Sequence, residues 1–130
     1  MSDRNVIGGP LEACSLDPVT GWFRDGSCRT NEADRGSHTI CSVMTSEFLE
    51  HQQSIGNDLT QPMPQFRFPG LVAGDRWCVT APNWLRAHAD GVAAPVVLAA
   101  TNEAVLDLVP LDVLVEHAVD VPDTPGALLD

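Results

Sequence analysis

Residues 36–48 read GSHTICSVMTSEF: a Gly-Ser turn pair, a run of β-branched and apolar residues, then Thr45, Ser46 and Glu47. Branched side chains fit a pleated surface, so residues 38–44 are expected to form a strand. Thr45 then offers a hydroxyl for a helix N-cap, and Glu47 places an acid in the first turn. The helix is expected to stop at Gly56, with Phe48, Leu49 and Ile55 as a narrow apolar stripe and His51, Gln52 and Gln53 in water. In a regular strand His38, Ile40, Ser42 and Met44 face one way, and Thr39, Cys41 and Val43 the other. His38 and Cys41 are therefore expected to point apart.

Downstream, residues 56–74 carry three prolines together with Gly70 and Gly74 and read as a long connection, which in a small domain is pinned down or functional. Residues 75–81 read as a second strand, and Pro82-Asn83 opens a helix that carries Trp84 and Leu85 and ends at Gly91. Residues 95–100 are apolar throughout and read as a third, buried strand. Thr101 is expected to cap a helix with Ala104, Val105, Leu108 and Val109 on one face. Another helix follows Pro110, with Leu111, Leu114, Val115 and Ala118 aligned.

Upstream, the first third is rich in Gly, Pro, Asp, Ser and Thr, so loops and short strands are expected there. Asp25-Gly26 reads as a two-residue hairpin turn that pairs Phe23 with Cys28 and sets Trp22 opposite Arg29. These elements together predict an α+β fold, a small two-layer sandwich with a short mixed β-sheet, helices packed on one face and a loop-rich N-terminal third. One compact domain over residues 1–118 is expected, followed by an acidic flexible tail over residues 119–130.

With 130 residues, of which 44% are apolar, the chain can bury one core and no more. A formal charge of -11 repels phosphate backbones and anionic lipid, so neither nucleic acid nor membrane is expected as a partner. Gly8-Gly9-Pro10 interrupts the start of the chain before any signal-type apolar run, and a cytoplasmic address is the expectation. In a reducing compartment Cys14, Cys28, Cys41 and Cys78 are expected as free cysteines; as a disulfide framework they would allow three pairings.

Cys41 is the candidate nucleophile, with His38 or His88 as its base, and Cys78, beside Arg76, is the second. Both thiols lie within strands and away from helix N-termini, which favours inert, structural cysteines. A zinc centre from Cys28, His38, Cys41 and Cys78 can be counted, yet the set lacks the short Cys-x-x-Cys spacing of such sites, so no metal and no cofactor are expected. His88 lies one turn after Trp84, and His117 near the end of the last helix, where the helix dipole favours an imidazolium. The sequence holds no P-loop, dinucleotide fingerprint or nucleophile elbow.

NVIGGPLEACSLDPVTGWFRDGSCRT, GSHTICSVMTSEFLE, GNDL, FPGLVAGDRWC and APVVLAAT occur in this order from about Asn5 to Ala118. Together they resemble the bacterial domain-of-unknown-function family 2237. The resemblance implies a single compact α/β two-layer domain with no established activity. It also leads one to expect cysteines at the positions held here by Ser27 and Thr80, and a histidine where Asn102 stands. If a metal or redox site is the family's function, the resemblance implies that this chain has lost it.

The leading functional expectation is a soluble domain with a small ligand-binding or thiol-containing pocket, set between the 62–74 loop and the strands that hold Cys41 and Cys78. Arg76, Asp58 and Trp77 are the candidate ligand contacts. One alternative is an interaction module that uses Trp22, Phe23 and Arg29, or Trp84. The other is zinc binding through Cys and His.

Overall fold

The computed structural model describes residues 3–16, 19–66 and 68–120. The C-terminal ten residues, most of the expected tail, lie outside the described residues. Strand β1 spans His38–Val43, helix α1 Ser46–Ser54, strand β2 Arg76–Thr80, helix α2 Ala81–Ala89 and helix α3 Leu111–Glu116. The Thr45 hydroxyl accepts from the Phe48 amide at 3.0 Å, as the sequence predicts, and α1 gives way at Ile55 to Gly56 with φ +88°. His51, its side chain only 10% exposed with the ring on the Asp90 carboxylate, departs from the expected exposure, and so does Gln52. It is fully buried, because α1 packs against α2 there and the Gln52 amide meets the Asn83 carbonyl and the Asn57 side chain.

β1 and β2 pair antiparallel, and Cys41 lies directly opposite Cys78. On the far side of β1, the Val43 amide donates to the Pro95 carbonyl and the Val97 amide to Cys41. Val96 bridges antiparallel to Ser42 and parallel to Ala118, which makes the pairing mixed. The expected third strand stops there. Residues Leu98–Ala100 curl into a 3-10 turn whose leading amides, Leu98 and Ala99, donate to the Asp120 carboxylate. The helix expected after Thr101 is also a 3-10 segment, Glu103–Asp107, and Asn102 caps it by accepting from the Ala104 amide. Thr101 is unavailable as a cap. It is fully buried, its hydroxyl donating to Val97 and accepting from the Cys41 amide.

The sheet has two differently built faces. One carries Ile40, Trp77 and Val79 into an apolar core with Met44, Phe48, Trp84, Val96, Leu98 and Leu114. Each such fully buried large side chain contributes about 1.5–3 kcal/mol relative to exposure. The other face carries Cys41 and Cys78 into a sulfur-rich cluster with Cys14 and Cys28. The loop-rich N-terminal third lies over this second face.

No hairpin forms at residues 22–29. Gly21 (φ +99°), Arg24 (φ 55°) and Gly26 (φ +90°) turn the chain repeatedly, and the Gly26 amide donates back to Thr20 instead of extending a ladder. A Cβ at Gly21 would collide with the Ser27 carbonyl, so this bend needs glycine. The side-chain pairs shift accordingly. Arg29 lies 4.8 Å over the Phe23 ring and not over Trp22, while Cys28 faces inward to Cys78 and not to Phe23. Among the described residues no helix is long and apolar enough to cross a membrane.

Candidate functional site

Cysteine chemistry differs most from expectation. Cys14 is bonded to Cys41 and Cys28 to Cys78, with Cα separations of 5.6 and 5.3 Å, and no cysteine is free. Cys41 and Cys78 are therefore not thiol nucleophiles. The zinc set fails as well, since Cys28, Cys41 and Cys78 have spent their sulfurs on bridges and His38 turns to a carboxylate. The physical reason lies in the sheet register: Cys41 and Cys78 project side by side from one face, and the N-terminal loop brings one partner to each. A reducing address predicts free thiols; the two bridges overturn that expectation and leave the compartment open.

The expected parting of His38 and Cys41 is corrected too. A β-bulge at Thr39 sets His38 opposite Thr80 and Cys41 opposite Cys78. Thr80 and Cys78 share one face of β2, so the extra residue returns His38 to the face of Cys41. The two side chains still do not join. Asn31 folds back on the Ala33 and Asp34 amides, and this turn aims the buried Asp34 carboxylate at the start of β1. It accepts from the His38 amide at 2.9 Å, from the Thr30 hydroxyl at 3.0 Å and from His38 Nδ1 at 2.6 Å. Nδ1 thus carries the proton and Nε2 is the free ring nitrogen of the neutral form.

His38 forms part of the wall of a cavity of about 650 Å³. Trp22 stacks on the imidazole at 5.9 Å with 26° between the rings, and Phe68 meets Trp77 edge-on at 5.0 Å. Arg24 extends its guanidinium over Trp77, 5.0 Å from the ring centre, and partial burial lowers its pKa. Asp58 lies on the lining, exposed, its pKa held below the ordinary carboxylate value by the Thr60 hydroxyl at 2.6 Å and the Thr60 amide. A depressed folded pKa means that Asp58's contribution is present above its unfolded value and is lost as pH falls through the folded one. At neutral pH the lining thus holds one fixed cation and one fixed anion around an aromatic floor.

Of the predicted ligand contacts, Asp58 and Trp77 line this cavity and Arg76 does not. Cys78, bridged to Cys28, lines the cavity and Cys41 does not, though both belong to the sulfur cluster. Met63, Gln65 and Phe68 bring the 62–74 loop to the wall. Sequence reasoning missed Asp34 and Arg24. Asp34 had one legible signal, an acid four residues before a histidine, whereas Arg24 had none. Among the described residues no hydroxyl or thiol is hydrogen-bonded to the His38 ring: the Ser37 and Thr39 hydroxyls bond to each other, the Thr80 hydroxyl opposite His38 has no partner, and the cysteines are bridged. The geometry offers recognition through a fixed imidazole, a guanidinium and aromatic faces.

Removing the carboxylate has a definite expected result. Asp34→Ala strands the His38 amide and Nδ1 and lowers stability by about 2–3 kcal/mol, measured by urea unfolding. A loss below about 0.5 kcal/mol, the size of an ordinary surface substitution, would show that water replaces the carboxylate freely.

The sequence pattern of one family matches residues 4–118. This chain belongs to that family, described as an uncharacterized protein conserved in bacteria (DUF2237). No curated protein matches the chain. In this DUF2237 member, the positions that depart from the expected family pattern have structural surroundings of their own. Asn102 donates to the Cys28 carbonyl at 3.1 Å and to the Asp3 carboxylate at 2.8 Å, and Thr80 buries a hydroxyl that has no partner. The Ser27 amide closes a turn on Asp25.

Proposed function

We propose that this domain binds a small planar molecule with a polar edge, in the cavity between the 62–74 loop and the two strands. The observation that supports this most is the Trp22–His38 stack held from behind by buried Asp34, opposite Arg24 on Trp77. Such an arrangement fixes two polar groups of different character against aromatic walls in a volume suited to one small ligand. Arg24 would take an anionic or acceptor edge of the ligand, and His38 Nε2 a donor. The bridged Cys78 contributes shape and not reactivity.

Ligand-observed NMR with a panel of aromatic carboxylates and heterocycles, matched to aliphatic controls, tests this. Aromatic members should bind and perturb the Trp22 and Trp77 indoles. Trp22→Ala should weaken them about tenfold, since losing one aromatic contact costs about 0.5–1.5 kcal/mol beyond area. Binding that ignores both Trp22→Ala and Arg24→Gln would sink the proposal.

A second reading, an interaction module, is supported by one observation. Leu16, Val19, Trp22 and Phe23 are each 42–67% exposed within eight residues of sequence. Trp84 leaves that set because it is fully buried.

A further inference from the structure

We infer that His88, Glu116 and His117 form a binding site for one divalent transition-metal ion of the borderline class. The three residues share none of the cavity's lining and none of the cysteine chemistry. His88 lies in the last turn of α2, Glu116 ends α3, and His117 is the residue that caps it. One ligand atom from each lies within 4.8 Å of the others, close enough for a single ion to bridge all three.

The two imidazoles are held for this role by a shared platform. Trp84 is fully buried and its indole N–H donates to the Ala94 carbonyl at 3.0 Å, which fixes the ring. His88 stacks on it at 5.5 Å with 19° between planes, and His117 meets it edge-on at 5.5 Å. The imidazoles then stand 5.3 Å apart at 87° to each other, so their nitrogen edges can converge without the rings stacking. The other two histidines are each tied to a carboxylate, His38 through Nδ1 to Asp34 and His51 through Nε2 to Asp90. Among the described residues neither His88 nor His117 has a side-chain hydrogen bond, and both are only partly buried. Two free, converging imidazoles beside a carboxylate are the arrangement that an ion would use.

The donor set narrows the ion. Two imidazole nitrogens and one carboxylate oxygen suit Zn²⁺, Co²⁺, Ni²⁺ or Cu²⁺, whereas Mg²⁺ and Ca²⁺ require oxygen cages. Three protein ligands leave a fourth tetrahedral position for water. His88 lies in the last turn of α2, where the helix dipole adds partial negative charge. An ion held here would clamp α3 to α2 and so hold the stretch that pairs Ala118 with Val96.

The test uses the full, untagged chain with both disulfides intact by mass, stripped of metal and titrated with Zn²⁺ by calorimetry and with Co²⁺ by visible absorption. One ion per chain is expected, with tetrahedral Co²⁺ bands and a rise in thermal midpoint. His88→Gln and His117→Gln should each weaken binding about tenfold or more, while His51→Gln leaves it unchanged. In the unaltered protein, ¹⁵N spectra should show Zn²⁺ moving the ring nitrogens of His88 and His117 but not those of His38 and His51. This arm does not depend on any variant folding. No binding by about 0.1 mM Zn²⁺ would overturn the site. So would binding that survives both glutamine variants, or binding that appears only after the disulfides are reduced.

Discussion

Replacing Cys28 and Cys78 together with serine lowers the unfolding free energy by about 4 kcal/mol, and replacing Cys14 and Cys41 lowers it by about 3.5 kcal/mol. The estimates follow from loop closure: the bridges join residues 50 and 27 apart in sequence, and the longer loop constrains the unfolded chain more. The two losses should not add, since the loops share residues 28–41 and either bridge already restricts part of what the other closes. Removing both takes away a large share of the roughly 5–15 kcal/mol that holds a domain together. Urea transitions followed by tryptophan fluorescence, with and without a phosphine reductant, provide the measurement. A midpoint that does not move on full reduction would contradict the stabilising role. Four alkylated thiols in native, unreduced protein would contradict the pairing itself.

Trp84→Ala is expected to cost about 3–5 kcal/mol, the range for emptying an aromatic site in a packed core. Trp84 is the largest of the fully buried side chains, and its removal also leaves the Ala94 carbonyl without its donor. Trp84→Phe keeps most of the volume and should recover more than half of the loss, with the remainder assigned to the hydrogen bond. Calorimetric unfolding distinguishes the two variants. Equal destabilisation by alanine and phenylalanine would place the effect in the hydrogen bond and not in packing.

The parts of the fold legible in the sequence are those governed by neighbours in the chain. The β1–α1 junction was readable because the Thr45 hydroxyl and the Phe48 amide are three residues apart, and α2 because Pro82 marks its start. The 22–29 segment was misread for a complementary reason. Asp25-Gly26 is a turn signal, but Cys28 is drawn to β2, and Gly21 and Arg24 take left-handed conformations that oppose two paired strands. Residues 95–100 were apolar enough for a strand, yet a carboxylate twenty residues on holds the Leu98 and Ala99 amides in a turn. The bulge at Thr39 left no mark in residue type, since threonine is an ordinary strand former. One inserted residue was enough to reverse the predicted side of His38. Within the cavity, Trp77 was legible as an aromatic residue of the second strand, while Asp58, beside Asn57 in the long connection, carries the pattern of an ordinary turn residue. Asp34 and Arg24 act through partners that only folding supplies.

The bridges also interleave along the chain, because Cys28 lies inside the loop closed by Cys14 and Cys41 while its own partner lies beyond it. A ribosome delivers Cys14 and Cys28 first, and the earliest sulfur pair that an oxidant can capture is one that the finished protein does not contain. Such a pair must be undone by thiolate attack once Cys41 and Cys78 have emerged and the two strands have zipped together. Where oxidation outpaces synthesis, the native bridges are reached only by thiol–disulfide exchange, whereas a complete chain oxidised after the strands have paired needs none.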